Sequence, residues 1–217
     1  MPATSRNLRN RNQPMRVLLD DQPIAADTPG IAQAITAART AADEAGRIII
    51  EVTGDGQSLE RAVLAAPPTD TAGISERKFI TADPGAFVAV TLSDTKSLLD
   101  EAAASHQEAA DELMAGNRDG AIDPLRGALE SWAVVRDVIE KSSALLAIDP
   151  RAIESESGTG AAIIDGLTEK LGEIKQSLGA HDDAALADVL AYDMPEQVAR
   201  WRSLLGSLEQ PAAANRT

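Results

Sequence analysis

The chain has 217 residues, no cysteine, 44% apolar residues, only 2% aromatics and a formal net charge of −14. Without cysteine there is no disulfide scaffold and no thiolate metal site, and the surplus of carboxylates repels phosphate backbones and anionic membranes. A core of this composition is aliphatic and rich in alanine, which favours helices because alanine loses no side-chain rotamers on folding.

Residues 1–14 are polar, aperiodic and carry Arg6, Arg9 and Arg11. No apolar stretch follows them, so they are read as a disordered basic arm and not as a secretory signal. No apolar run approaches the roughly 18 residues of a membrane span. A reducing cytoplasm is the expected compartment. The acidic charge is concentrated late: residues 83–217 hold 24 acidic and 11 basic groups, against 10 and 6 in residues 15–82.

Arg16-Val-Leu-Leu19 reads as a short strand ended by the turn Asp20-Asp21-Gln22-Pro23. Thr28-Pro29 suits a helix start, a capping hydroxyl followed by proline. Ile31, Ala34, Ile35, Ala38 and Ala42 then recur at helical spacing, and Gly46 supplies the stop. Arg47–Thr53 is the strongest strand in the chain, with Gly54-Asp55-Gly56 as its turn. A short helix from Ser58 to about Ala66 and a third strand over Arg77–Thr81 complete this region. LDDQPI at 19–24 echoes GDGQSL at 54–59; chance similarity is the simpler explanation, a duplicated unit the other.

From Asp83 the period changes to 3.6. Asp-Pro at 83–84, 123–124 and 149–150 each suits an N-cap followed by proline. Val88, Leu92, Thr95, Leu99, Ala102, His106, Ala109 and Leu113 form one stripe stepping by four and three, closed by Gly116. Leu125, Leu129, Trp132, Val135 and Ile139 mark a second helix, running to about Ile148. ESESGTG within 149–160 reads as a flexible connector. Ile164, Leu167, Leu171, Ile174 and Leu178 mark a third helix, ended by Gly179. Ala187, Ala191, Met194, Val198, Trp201, Leu205 and Leu208 mark a fourth. Its phase passes through Pro195, which predicts one kinked helix, with Asp193 accepting from amides freed at the bend. Residues 109–129 resemble the turn and second helix of a tetratricopeptide repeat, with Gly116, Ala121, Leu125, Ala128 and Leu129 at the matching spacing. The match covers barely half a unit and has no second copy, so the stretch is read as a tight helical hairpin.

Residues that could carry chemistry are few. His106 lies on the first long stripe and His181 in a loop beside Asp182 and Asp183; neither has a second ligand at metal-binding spacing. Glu154/Glu156 and Asp182-Asp183 lack the alternating pattern of a calcium loop and read as solvated ends. Gly54-Asp55-Gly56 and Gly158-Thr159-Gly160 continue neither as a dinucleotide fingerprint nor as a phosphate loop. Trp132 and Trp201 each sit on an apolar stripe, where they serve as core or as anchors for a partner.

These observations define an α+β, mainly α protein. A small three-stranded α/β domain (15–82) precedes an antiparallel four-helix bundle (83–210), between a disordered arm (1–14) and a disordered tail (211–217). The expected function is a non-enzymatic protein-interaction module: an adaptor, assembly factor or chaperone-like binder. The partner is a protein of basic character, met through Trp132, Trp201 and His106; no nucleic acid, membrane, cofactor or metal is implied, and no catalytic residue is assigned. One alternative is an enzyme or small-molecule-binding protein with a pocket between the two domains. Another is an acidic chaperone for secretion or appendage export.

Overall fold

The computed structural model describes residues 16–24, 31–58 and 76–214. The chain divides into two compact units, residues 1–84 and 85–217. It is mainly helical, with a small mixed sheet confined to the first unit. Among the described residues no helix is long and apolar enough to cross a membrane.

The first unit contains β1 (Arg16–Leu19), β2 (Gln22–Pro23), α1 (Ile31–Glu44), β3 (Ile48–Gly54), β4 (Gln57–Ser58) and β5 (Glu76–Ala82). The sheet order is β2-β1-β5-β3-β4. β5 is central, parallel to β1 and antiparallel to β3. The three expected strands are present, and two short strands are added at the edges. They arise because both polar turns fold back on themselves: Asp20-Asp21 and Asp55-Gly56 all have positive φ, the geometry of a two-residue hairpin that favours Asp and Gly. The echo between 19–24 and 54–59 thus corresponds to one shared hairpin shape.

The two turn aspartates also clamp β5. The Asp20 amide donates to the Phe79 carbonyl at 3.0 Å, and its carboxylate accepts from the Thr81 amide at 2.8 Å. The Asp55 amide donates to the Glu76 carbonyl at 2.9 Å, and its carboxylate accepts from the Glu76 amide at 2.8 Å. A bulge between Ile49 and Glu51 in β3 turns Ile50 out to solvent. Alternation along β5 sends Arg77, Phe79 and Thr81 inward, where Phe79 meets Val17, Val52 and the small α1 residues Ala34 and Ala38. α1 ends at Glu44, and Gly46 just beyond it supplies the left-handed φ. The expected cap at Thr28-Pro29 and the short helix after Ser58 lie outside the described residues, as do residues 1–14.

The second unit holds α2 (Pro84–Met114), α3 (Arg118–Leu145), α4 (Gly160–Ala180), α5 (Asp183–Asp188) and α6 (Met194–Ala214). Every member of the α2 stripe from Val88 to Leu113 is buried. One apolar core draws side chains from all five helices.

Several expectations are corrected. α3 starts at Arg118, where Asn117 caps the Gly120 amide at 3.1 Å, so Asp123-Pro124 lies inside the helix. The Asn cap stands six residues before the Asp-Pro signal and starts the helix there, and Leu129 falls at the edge of the buried face. The connector at 149–160 is folded: Asp149 caps a 3-10 turn over Pro150–Ala152, and β6 (Glu154–Ser155) pairs with β7 (Gly158–Thr159). Gly160 makes this possible, since a Cβ there would overlap the Pro150 carbonyl. α4 ends not at Gly179 but one residue further, at Ala180, with His181 taking the left-handed cap conformation at φ +56°. The bend before Pro195 is a π-turn over Val189–Asp193, in which the Met194 amide reaches back five residues to Val189. Such a widened turn frees a carbonyl, which accommodates a proline that has no amide to give. Asp193 is ion-paired with Lys170 at 3.1 Å instead of capping the bend. α6 continues to Ala214, past the expected boundary at 210, through helix-favouring alanines; residues 215–217 lie outside the described residues.

Candidate functional site

The three residues singled out as binding candidates come together inside the second unit. α2 supplies His106 and α3 supplies Trp132, and the fully buried alanines 102, 109 and 128 leave room for the large rings. The Trp132 indole Nε1 donates to His106 Nε2 at 3.3 Å. That bond makes Nε2 the acceptor and places the imidazole proton on Nδ1. Trp201 on α6 meets Trp132 edge-to-face, with ring centroids 5.5 Å apart and planes at 76°. All three side chains are 1% exposed or less, so none offers surface to a partner in this state.

The cluster is under-satisfied. His106 Nδ1, Trp201 Nε1 and the Gln197 amide oxygen are buried without hydrogen-bond partners. Gln197 lies one turn before Trp201, with its amide against Gly166 of α4. Sequence reasoning passed over Gln197, although its spacing of four from Trp201 places it on the buried stripe. Burial pushes the His106 pKa down to about 4, which keeps the imidazole neutral at pH 7.

The remaining candidates serve local structure. His181 closes α4, its amide donating to the Leu178 carbonyl at 3.3 Å. Asp182 caps the Ala185 amide at 3.0 Å, and Asp183 pairs with Arg118. Gly54-Asp55-Gly56 forms a hairpin, while Thr159 of the second glycine motif caps α4. Among the described residues no group of three or more His, Asp and Glu stands close enough to hold a metal ion.

Two features of the first unit were not anticipated. A pocket of about 380 Å³ lies between α1 and the sheet, floored by Ile35, Ile49, Val52 and Phe79 and rimmed by Arg39, Asp43 and Arg47. Arg77 is 1% exposed, with Nε and Nη1 unpartnered. Burial lowers its pKa, against the attraction of Asp55. The period-two alternation with Phe79 and Thr81 carries the signal for its inward position.

The helices also expose apolar side chains: Phe87 and Val90 on α2, and Val134 and Leu145 on α3. No protein-family model matches the chain, and no curated protein or solved structure matches it.

Proposed function

We propose that this protein is a non-enzymatic protein-interaction module, an adaptor, assembly factor or chaperone-like binder, carried on an antiparallel four-helix bundle. Contacts between helices support the bundle: Lys96 pairs with Glu209 and Asp100 with Arg202, so position rises along α2 as it falls along α6. Gly166 beside Gln197 and Lys170 beside Asp193 relate α4 and α6 in the same opposed sense. The observation that carries the function is the outward apolar set on α2 and α3, with Val90 61% exposed. A contiguous exposed apolar patch marks a binding surface, and we read this set as one. The partner is a basic protein, since the bundle is strongly acidic.

The test is isolation of the full chain from its native cells at native abundance, followed by mass measurement of the complex. A partner in fixed stoichiometry supports the module; a chain that travels alone sinks it.

The pocket under α1 favours a second reading, small-molecule binding by the first unit. An apolar floor beside two guanidinium groups and a carboxylate suits a small amphipathic ligand. Thermal-shift screening of Arg39→Ala against the unsubstituted chain tests it. Ligands whose shift is abolished by the substitution support this reading, and a screen without such ligands removes it.

A further inference from the structure

Building on the interaction-module reading, we propose that the outer faces of α2 and α3 form the docking surface, and that its occupant is an amphipathic, positively charged helix of a partner protein.

Contacts between the two helices locate the surface. Ser105 faces Gly127, with its hydroxyl 3.8 Å from where a Cβ would stand, and Trp132, five positions further along α3, reaches back to His106. Seven residues back along α2 from Ser105 stands Leu98, and seven forward along α3 from Gly127 stands the exposed Val134. A further eleven along each helix, about three turns, stand the exposed Phe87 and Leu145. Val134 and Leu145 lie on one line of α3, with half-buried Val138 between them. Phe87 and Val90 on α2 and Val134 and Leu145 on α3 thus supply the exposed apolar side chains of this end of the helix pair.

Charge then selects the occupant. α2 carries six carboxylates and a single lysine, whereas α3, α4 and α6 are each within one charge of neutrality. The lysine and Asp100 are committed to α6 through Glu209 and Arg202. Asp94, Glu101 and Glu108 repeat at seven-residue spacing on the side of α2 turned away from its buried stripe, and all three are exposed. Exposed apolar side chains together with a row of carboxylates complement a helix with leucine-like residues on one face and Lys or Arg along its flank. From Phe87 to Glu108 the surface runs about 30 Å, the length of a helix of about 20 residues.

The experiment is a titration of the isotopically labelled full chain with a synthetic amphipathic helix of about 20 residues. It is built from leucine and lysine, and a scrambled isomer of the same composition serves as control. Amide shifts are followed by NMR. The expected result is shifts confined to the outer faces of α2 and α3, with binding at least about tenfold weaker for the isomer and for Val90→Asp combined with Val134→Asp. Both positions are exposed, and an unchanged thermal midpoint verifies that the variant folds. Affinity should also fall as salt rises, because exposed charges are screened over about 10 Å at 0.1 M. Shifts elsewhere on the molecule, equal binding of the isomer, or an unaffected double variant each overturn the proposal. Failure here leaves the module reading to its own test, since a native partner held elsewhere would still co-purify.

Discussion

Replacing each tryptophan in turn by phenylalanine separates the two roles the indoles have in the core. Both changes remove the five-membered ring from a fully buried site, a loss of roughly 1–2 kcal/mol in packing and transfer. They differ in what happens to the polar atoms. Trp201 Nε1 is buried without a partner, so Trp201→Phe also removes an unsatisfied donor whose burial costs about 1 kcal/mol or more, and the net effect is small. Trp132 Nε1 is the donor to His106 Nε2. Trp132→Phe leaves the imidazole, already unpartnered at Nδ1, with no hydrogen bond at all, which adds about 1–3 kcal/mol. Trp132→Phe should therefore be the more damaging change by about 2–4 kcal/mol. Urea unfolding followed by circular dichroism measures both, and each variant keeps one tryptophan as a fluorescent reporter. Equal costs, or the reverse order, would refute the assignment of the hydrogen bond to Trp132 and of the orphan donor to Trp201.

Burial holds the His106 pKa down to about 4 in the fold, against about 6.5 unfolded. The unfolded chain therefore takes up the proton first. This contribution to stability is complete above about pH 6.5 and lost as pH falls toward 4, by on the order of 3 kcal/mol; denaturation between pH 7.5 and 4.5 should show a shallower slope for His106→Gln. Gly160→Ala should lower the thermal midpoint sharply, because the added methyl overlaps the Pro150 carbonyl. Gly172→Ala, in α4 with nothing within 4 Å of the new methyl, should raise stability by about 0.5–1 kcal/mol. Calorimetry on the pair decides whether the 149–160 segment is folded as described.

The long periods were the most legible part of the fold. Eight members of the α2 stripe, stepping by four and three, are all buried, since a 3.6-residue period leaves little freedom once one face is apolar. The phase carried through Pro195 likewise matches the continuity from α5 to α6, although a π-turn takes the place of a simple kink. Local capping was less legible. The Asn117 cap and the Asp123-Pro124 signal are both valid helix starts in isolation, and local sequence does not choose between them. ESESGTG has a linker's composition, yet Ile153 packs on the core beside it and Gly160 sits against Pro150, contacts that local sequence does not display. Trp132, Trp201 and His106 were recognisable as stripe residues. Their convergence depends on helix pairing, which a single helix's sequence does not display.

The mass of the complex formed by the full chain at native abundance tests the central claim most directly. The account predicts a stable complex with a basic protein partner for the unsubstituted chain, and a free chain when Val90→Asp and Val134→Asp are combined. An unsubstituted chain that travels alone would contradict it.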